Sequence, residues 1–447
     1  MKKNSIFLFS TQSLYQTKFW IDISLKLKFL KRESLIICFD TESQNLLLKK
    51  NVKHVFIKSK IDDDKNILQQ IFNKYNSINY KKILKHEEIF YGKRNYFKVL
   101  KKFLTYIIQI EDLFLSLNDK KITIIQELSG FSSSLSLYYV SKKFRYNNYF
   151  IEPSFFDGRF HMTLNTLMCD PVANNKISKD TNILQIVNKI KNLKKIIIPK
   201  KDVSHFLNPF KKIFNLINIT RLFEKLFKKF FLNIQYDFDE IFRYSLSFLK
   251  NLINYSFLYF FYSRGIKKKV VYHYFPLHVP NDFALTLRSP IYLNQIDLIK
   301  KLLKKIPKHE FLYIKEHPAR IGALNFIDAF IMLSKYNNLK ILYPSINSYQ
   351  ILENCKSVIT INSKTGYEAL ILNKPLFVFG ESYYKKLSFV SYCNLNNINL
   401  NQTKKIIQKK LNKFFRKLYY KTFNGQLYYL KKTNISNFVK SINNLKI

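Results

Sequence analysis

The stretch SVITINSKTGYEALILNKPLFVFG, residues 357–380, predicts a strand, a polar turn, a helix and a second strand in immediate succession. Its two apolar runs have the length of buried strands, and small polar residues and a glycine separate the first run from the helix. A strand, helix and strand in this order form the repeating unit of a parallel sheet covered by helices. The stretch therefore predicts an α/β domain of the doubly wound type.

The same alternation is found toward both ends of the chain. We expect a Rossmann-like domain over 269–447, with helices at its C-terminal end, and another over 1–175. The intervening residues 176–268 are rich in Lys, Phe, Leu and Asn with helical periodicity, which predicts a helical linker or insertion. The chain has 447 residues and is long enough for two such cores. Two Rossmann-like domains that face a cleft make up the GT-B architecture, and this is the fold that we predict.

The composition is strongly basic, with 75 Lys and Arg against 30 Asp and Glu and a formal net charge of +45. Nucleic acid and anionic membranes are the usual partners of such a charge. Two explanations of this charge stay open. It can belong to a binding surface, or it can reflect the compositional bias of an AT-rich genome at solvent-exposed positions. The sequence contains no arginine-rich tract, zinc spacing or RNA-binding aromatic signature, so we expect no nucleic-acid partner. The charge still favours anionic ligands, including nucleotides and lipid headgroups.

Four cysteines lie far apart without a CxxC pair, which argues for a reducing compartment and against disulfides or a zinc site. The apolar run near the N-terminus is too short for a signal peptide, and no ~20-residue apolar segment is present. We therefore expect a cytoplasmic protein. The basic, aromatic helix predicted over 244–265 leaves two interpretations open, packing against a neighbouring domain or contact with the inner face of an anionic membrane.

Polar residues follow the strand in FLYIKEHPARIG, residues 311–322. His317 stands at the strand's end, and Pro318 fixes the backbone where the next segment departs. An imidazole there can donate to a phosphate oxygen, and Lys315 and Arg320 add positive charge. The alternative is an ordinary surface loop. In open α/β sheets ligands bind beyond the carboxyl ends of the strands, which favours a phosphate site.

A second polar turn, Asn362-Ser363-Lys364-Thr365-Gly366, lies between the strand and the helix of the opening stretch. Backbone N–H groups and hydroxyls at a helix N-terminus form a ready anion site, although Ser363 or Thr365 can serve simply as a helix cap. Glu368 lies in the first turn, within reach of ribose hydroxyls. The sequence contains neither GxGxxG after a strand nor GxxxxGK[ST], which argues against dinucleotide-dependent redox chemistry and P-loop hydrolysis.

Three motifs in one order carry a family resemblance: PLHVP at 276–280, KEHP at 315–318 and NSKTGYEAL at 362–370. Together they resemble the capsule polysaccharide biosynthesis family, bacterial GT-B glycosyltransferases of surface-glycan assembly that include Kdo transferases. The similarity covers roughly residues 270–385 and, more weakly, 121–165.

The resemblance implies that the C-terminal domain binds a sugar nucleotide. By position, His317-Pro318 and the turn residues Asn362, Ser363, Thr365 and Gly366 would hold the nucleotide phosphate, together with Lys315 and Arg320. Glu368 would be a carboxylate that contacts the nucleotide. His278 and Arg288 would face the cleft from the first loop of the domain.

In such enzymes the N-terminal domain supplies the acceptor site and a catalytic carboxylate. Glu127, at the end of a predicted strand and before Ser129-Gly130, is the preferred general base. Glu152 is the second candidate, and Arg159 is a candidate clamp for the acceptor. For each acid the alternative is a cap or a surface ion pair.

We therefore predict a glycosyltransferase that moves a sugar from a CMP- or UDP-linked donor, such as CMP-linked Kdo, to a glycan or glycolipid acceptor. His317, Lys315 and the 362–366 turn would stabilise the departing phosphate. No cofactor is predicted. We expect metal independence and interpret the acidic run at 62–64 as a solvated turn.

Two rival functions remain at this point. A glycerophosphotransferase that uses CDP-glycerol would need the same two domains, a histidine-proline site and a Ser-rich phosphate turn. A non-catalytic protein that binds membranes or nucleic acid would depend on the net charge instead.

Overall fold

The computed structural model contains two sheets covered by helices. It describes residues 5–60, 65–90, 96–174, 182–206, 210–211, 214–238, 240–267, 269–400, 403–443 and 445. The strands are β1 Ser5–Thr11, β2 Glu33–Cys38, β3 His54–Phe56, β4 Lys121–Glu127, β5 Asn147–Pro153, β6 Arg159–Leu164, β7 Tyr272–Pro276, β8 Phe311–Lys315, β9 Leu339–Leu342, β10 Ser357–Thr360, β11 Leu376–Val378, β12 Ser391–Tyr392 and β13 Phe423–Asn424.

Helices cover the faces of both sheets and fill the segment between them. They are α1 Leu14–Phe29, α2 Thr41–Lys49, α3 Lys65–Lys74, α4 Tyr80–Ile83, α5 Lys85–Phe90, α6 Tyr96–Ser116, α7 Ser132–Lys143, α8 Ile183–Leu193, α9 Leu216–Phe231, α10 Ile241–Leu258, α11 Phe283–Thr286, α12 Gln295–Leu303, α13 Phe326–Lys335, α14 Ser348–Asn354, α15 Thr365–Ile371, α16 Gln408–Tyr419 and α17 Lys432–Asn443. Three short 3₁₀ helices span Lys200–Phe206, Pro290–Tyr292 and Pro318–Arg320.

The N-terminal sheet has seven strands in the order β13-β6-β5-β4-β1-β2-β3. Strands β5, β4, β1, β2 and β3 run parallel, whereas β6 is antiparallel to β5 and β13 is antiparallel to β6. Consecutive residues Ile6–Phe9 of β1 are all buried, because helices cover both faces of the sheet. Strand order reverses between β1 and β4, so their carboxyl ends form a crevice.

The C-terminal sheet has six parallel strands in the order β12-β11-β10-β7-β8-β9. From β7 the chain proceeds to β8 and β9 on one side, and later to β10, β11 and β12 on the other. The order therefore reverses between β7 and β10, which is where ligands bind in open α/β sheets. The predicted fold class, two doubly wound α/β domains, is confirmed.

The last part of the chain returns to the N-terminal domain. Strand β13 pairs with β6, and Phe438 of α17 stacks on Phe160 with ring centroids 4.6 Å apart and meets Phe19 edge-on at 5.0 Å. The predicted C-terminal domain over 269–447 is corrected accordingly, since residues 423–443 complete the N-terminal domain. The apolar spacing of α17 indicates a helix, but it carries no information about which sheet the helix covers.

The described part of the predicted helical segment 176–268 contains α8, α9, α10 and the Lys200–Phe206 turn of 3₁₀ helix. Both domains anchor it. The Gln235 amide donates to the carbonyl oxygens of Phe39 and Ile57 at 2.8 and 3.0 Å, and the Asn254 amide donates to that of Gly322 at 2.9 Å. None of the helices in the described ranges combines the length and apolar character needed to cross a membrane.

Candidate functional site

A cavity of about 680 Å³ lies between the two sheets. Residues after β1, β4 and β5 line one side, and residues after β7, β8 and β10 line the other. The segment from Ile196 to Phe206, Phe248 of α10 and residues of α5 and of 381–384 also line the cavity. Both topological crevices thus open into one cleft, as the GT-B prediction requires.

In the KEHP motif the first two residues organise the loop. Lys315 is buried, and its ammonium donates to the Ile346 carbonyl at 2.6 Å and the Ser348 hydroxyl at 2.9 Å. Burial lowers the pKa of Lys315 to about 8, against the attraction of Glu368. The buried Glu316 carboxylate accepts from Tyr262 Oη at 2.6 Å and from backbone N–H groups of the loop that follows. Lys315 and Glu316 therefore fix the direction in which the chain leaves β8.

His317 and Arg320 follow on this fixed loop, and both line the cavity. His317 Nδ1 accepts the Ala319 N–H at 3.1 Å, so a neutral ring carries its proton on Nε2. Pro318 begins the 3₁₀ helix. The Arg320 guanidinium lies 4.7 Å from the ring centroid of Phe248.

The turn after β10 is held rigidly against the loop after β7. The Asn362 amide donates to the Ala284 carbonyl at 2.7 Å and Ser289 Oγ at 3.1 Å, and the Ser363 N–H donates to Thr360 Oγ1 at 3.1 Å. Gly366 is required sterically, because a Cβ there would lie 2.3 Å from the Tyr384 ring.

Lys364 lies within this turn and lines the cavity. Its ammonium makes no hydrogen bond or ion pair with any described residue. Burial lowers the pKa of Lys364, although the nearby carboxylates of Asp202, Glu152 and Glu368 oppose the shift. A cation without a partner in a cleft of this kind is a candidate for binding an anion.

Several buried polar atoms of cavity-lining residues also lack hydrogen-bond partners among the described residues, and they include His278 Nδ1, Asn362 Oδ1 and Glu368 Oε2. His278 Nε2 accepts the Asn362 N–H at 3.2 Å, which places the proton of the neutral ring on Nδ1. Burial lowers the pKa of His278 to about 3, and the charge of His317 acts in the same direction. Burial raises the pKa of Glu368 to about 7 against the opposing charges of Lys315 and Lys364. Orphaned buried groups are costly, so we expect a polar ligand to complete them.

Glu127 lines the opposite side of the cavity at the end of β4. Its carboxylate accepts from Gln16 Nε2 at 3.0 Å and forms an ion pair with Lys201 of the Lys200–Phe206 helix. Burial alone would lower the pKa of Lys201, but Glu127 and Asp202 outweigh it and raise the pKa. The predicted base is therefore in the cleft, in contact with a cation of the insertion.

Glu152 and Arg288 were predicted as separate cleft residues, and the structure joins them in an ion pair across the domains. The guanidinium nitrogens lie 3.1 and 3.0 Å from the carboxylate oxygens, and Arg288 Nε donates to the Leu167 carbonyl at 2.7 Å. Tyr383 also donates to Glu152. Burial would raise the pKa of Glu152, but Arg288 and Tyr383 lower it overall.

Arg159 is a correction, because it lies outside the cavity. Its Nη2 donates to the Thr422 carbonyl at 3.1 Å, and its guanidinium lies 4.3 Å from the Tyr419 ring centroid. It therefore holds the returning C-terminal segment instead of facing a ligand.

Four residues of the cavity are not among the residues predicted from the sequence. Lys364 stands inside the predicted polar turn, after Ser363, so its charge in that turn was a usable signal. Gln16, Lys201 and Tyr383 gave no local signal. No group of three or more His, Cys, Asp or Glu side chains is arranged to hold a metal ion in the described ranges, and the acidic run at 62–64 lies outside them.

Comparison with known proteins places this geometry in context. Residues 262–428 match the family model described as capsule polysaccharide biosynthesis protein. The chain is 35% identical over 121 residues to the capsule polysaccharide export protein KpsS of Escherichia coli, a match that covers 25% of this chain and 31% of that protein. It is 31% identical over 114 residues to Protein FixF of Sinorhizobium fredii, covering 24% and 26% respectively. The chain thus spans less than a third of the length of these curated relatives.

Two solved structures align with nearly the whole chain. KpsC of Thermosulfurimonas dismutans, beta Kdo 2,7 transferase, aligns with 99% of this chain and 100% of its own at 13% identity and a TM-score of 0.37. UDP-GlcNAc 2-epimerase from Methanocaldococcus jannaschii aligns with 98% and 99% at 12% identity and a TM-score of 0.25. The motifs PLHVP, KEHP and NSKTGYEAL all lie inside residues 262–428, the segment that matches the model of capsule polysaccharide biosynthesis proteins.

Proposed function

We propose that this protein is a glycosyltransferase of bacterial surface-polysaccharide assembly, which transfers a sugar from a nucleotide donor to a glycan or glycolipid acceptor. One observation carries the proposal: the Lys364 ammonium, which has no partner among the described residues, stands at the switch point of the C-terminal sheet, in a cleft between two doubly wound domains. The family match over 262–428 supports the same activity.

The donor phosphate would bind at Lys364, within the turn of residues 362–366. A phosphate there satisfies the cation, and the neighbouring His278 Nδ1–H and His317 Nε2–H are of the right kind to donate to its oxygens. Glu368, with one oxygen lacking a partner, suits a hydroxyl of the ribose. We propose a CMP-linked ulosonic acid such as Kdo as the first donor to test, with UDP-linked sugars next.

Transfer requires stabilisation of the departing phosphate and removal of a proton from the acceptor. Lys364 and His317 would act on the phosphate as negative charge develops, a role in which fixed donors lower the barrier strongly. Glu127, on the opposite wall, would accept the proton of the attacking hydroxyl. Its contact with Lys201 would have to open or shift when the acceptor binds.

The proposal is tested by thermal shift of the purified protein with CMP, UDP and CDP. One nucleotide should raise the melting temperature of the wild type, Lys364→Ala should lose that increase, and Lys308→Ala, an exposed lysine of the same domain, should retain it. Lack of response to every nucleotide would contradict the proposal. Turnover of CDP-glycerol without turnover of any sugar nucleotide would replace it with the glycerophosphotransferase alternative.

A further inference from the structure

Helix α9 exposes a row of phenylalanines to solvent. None of the residues of Leu216–Phe231 is buried. Phe223, Phe227 and Phe230 follow one another at i, i+4 and i+7, and their exposed fractions are 66, 54 and 69%. The half-buried residues, including Leu222 and Leu226, form the neighbouring stripe that contacts the protein. The helix is therefore amphipathic, and much of its apolar side has no partner in the described structure.

Helix α10 packs beside α9 and repeats the pattern. Leu246, Leu249, Ile253 and Phe257 recur at i, i+3, i+7 and i+11, and each is about half exposed. The opposite side of the helix is in the core, where Tyr255 is buried. An apolar row of this length on the solvent side is not needed to hold the helix in place.

Helix α13 continues the same surface. Phe257 of α10 stacks on Phe326 with ring centroids 4.5 Å apart, and Phe261 meets Phe330 at 5.8 Å. Ile327 and Ile331 of α13 are exposed as well. The exposed apolar side chains of α10 and α13 thus form one contiguous surface, and α9 packs beside α10. We call the exposed apolar side chains of these three helices the aromatic face. Contiguous apolar patches of this kind mark interaction sites.

The charges around the aromatic face select one kind of partner. Helix α9 carries four cations, Arg221, Lys225, Lys228 and Lys229, against the single acid Glu224. Helix α10 adds Arg243 and Lys250 without an acid, and α13 adds one acid, Asp328, and one cation, Lys335, so the three helices together remain positive. A second copy of this chain would bring the same positive charge into contact, which is unfavourable. Anionic lipid headgroups complement the cations while the acyl region accepts the phenylalanines.

We infer that the aromatic face binds the surface of an anionic membrane, with the phenylalanines of α9 inserted at the boundary between headgroups and acyl chains. The inference concerns a surface outside the cleft and does not rest on the proposed transferase activity. Because Phe248 of α10 lines the cavity, the same helix joins the membrane contact to the cleft. Docking on this face would therefore hold the cleft close to the lipid surface.

The test is cosedimentation of the full chain with vesicles at ~0.15 M salt. Wild type should bind vesicles that contain phosphatidylglycerol and should bind vesicles of phosphatidylcholine alone at least about tenfold more weakly. The triple variant Phe223→Ser, Phe227→Ser and Phe230→Ser should lose binding to the anionic vesicles by about tenfold or more. The matched control is Phe29→Ser, Leu48→Ser and Leu115→Ser, which removes exposed apolar side chains of the N-terminal domain and should bind as wild type does.

A charge variant keeps the test independent of the phenylalanines. Arg221→Glu with Lys225→Glu should weaken binding to anionic vesicles and leave the melting temperature unchanged, since both side chains are exposed. Equal binding to both kinds of vesicle would overturn the inference, as would equal losses in the triple variant and its control. A third result would also overturn the inference: the wild type is a dimer in sedimentation velocity and does not bind vesicles, and the triple variant is a monomer. The aromatic face would then join two copies of the chain.

Discussion

Several charged groups on the two walls of the cavity differ in whether they have a partner within the described part of the protein. On the C-terminal wall, the Lys364 ammonium, His278 Nδ1 and Glu368 Oε2 lack partners among the described residues. On the N-terminal wall, Glu127 is paired with Lys201, and Glu152 is paired with Arg288.

An unpaired buried polar group destabilises the protein, whereas a paired one does not require a ligand. The C-terminal wall is thus preformed for a charged ligand. The N-terminal wall is closed by contacts that a ligand must displace or use. Under the proposed function, the nucleotide would meet a ready site and the acceptor would meet one that must open.

The largest effect is expected for Glu127→Gln, which tests whether the N-terminal wall takes part in sugar transfer. The variant keeps the hydrogen-bonding shape but cannot accept a proton, so kcat of sugar transfer should fall by about 10²–10⁴-fold. The nucleotide-induced thermal shift should stay at the wild-type value, because that site is on the other wall. Asp202→Asn, which alters another acid near Lys201, is the control. Unchanged kcat in Glu127→Gln would make this ion pair purely structural.

Lys364→Ala tests whether the C-terminal wall binds the donor phosphate. We expect kcat/KM to fall by about 10²–10³-fold, because a preorganised cation facing the developing phosphate charge is lost. Unlike Glu127→Gln, this variant should also lose nucleotide binding, measured by calorimetry. Lys364→Arg should recover part of the affinity, since the charge is kept. Wild-type affinity in Lys364→Ala would place the phosphate elsewhere and remove the contrast between the walls.

The sequence predicted the architecture because its determinants are local. Apolar runs of strand length and helical periodicity are both visible in a window of a few residues, as in 357–380. The return of β13 and α17 to the N-terminal domain was missed, because a helix's apolar face does not identify the sheet that it covers. The placement of KEHP and of the 362–366 turn in one cleft followed from topology, since both stand at carboxyl ends of strands in the same sheet.

Pairings between distant residues could not be predicted in the same way. Glu152 and Arg288 are 136 positions apart, and nothing in the sequence near either residue indicates the other. Arg159 is the first residue of β6, after the turn that follows β5. Its side chain contacts Thr422, which is 263 positions away. Whether a polar side chain is satisfied or left for a ligand depends on such tertiary contacts. The contrast between the two walls is therefore visible only in the structure.

Glu152→Ala tests whether the interdomain ion pair is structural. It leaves the buried Arg288 without its carboxylate, so the free energy of unfolding should fall by about 3–5 kcal/mol in urea denaturation. Glu33→Ala, which removes a more exposed carboxylate paired with Lys53 and Lys120, should cost no more than about 1 kcal/mol. Similar small losses in both variants would show that the N-terminal wall is not held by this pair.

The smallest effect is expected for Glu368 on the C-terminal wall. Because the pKa of Glu368 is raised, the stability of the protein should depend on pH near neutrality. A group with a pKa raised from 4.5 to about 7 contributes stability that is full below 4.5 and is lost as pH rises through about 7. Glu368→Gln cannot take the buried negative charge, so its unfolding free energy should exceed that of wild type by about 1–2 kcal/mol near pH 7.5 and by less near pH 5. Phosphate affinity should also fall with rising pH in wild type and stay flatter in the variant, because an ionised Glu368 repels the ligand that Lys364 attracts. The contradicting result is a pH profile that runs parallel in wild type and Glu368→Gln, both in unfolding and in nucleotide titrations. Glu368 would then not titrate in this range, and its Oε2 would need no ligand as a hydrogen-bond partner.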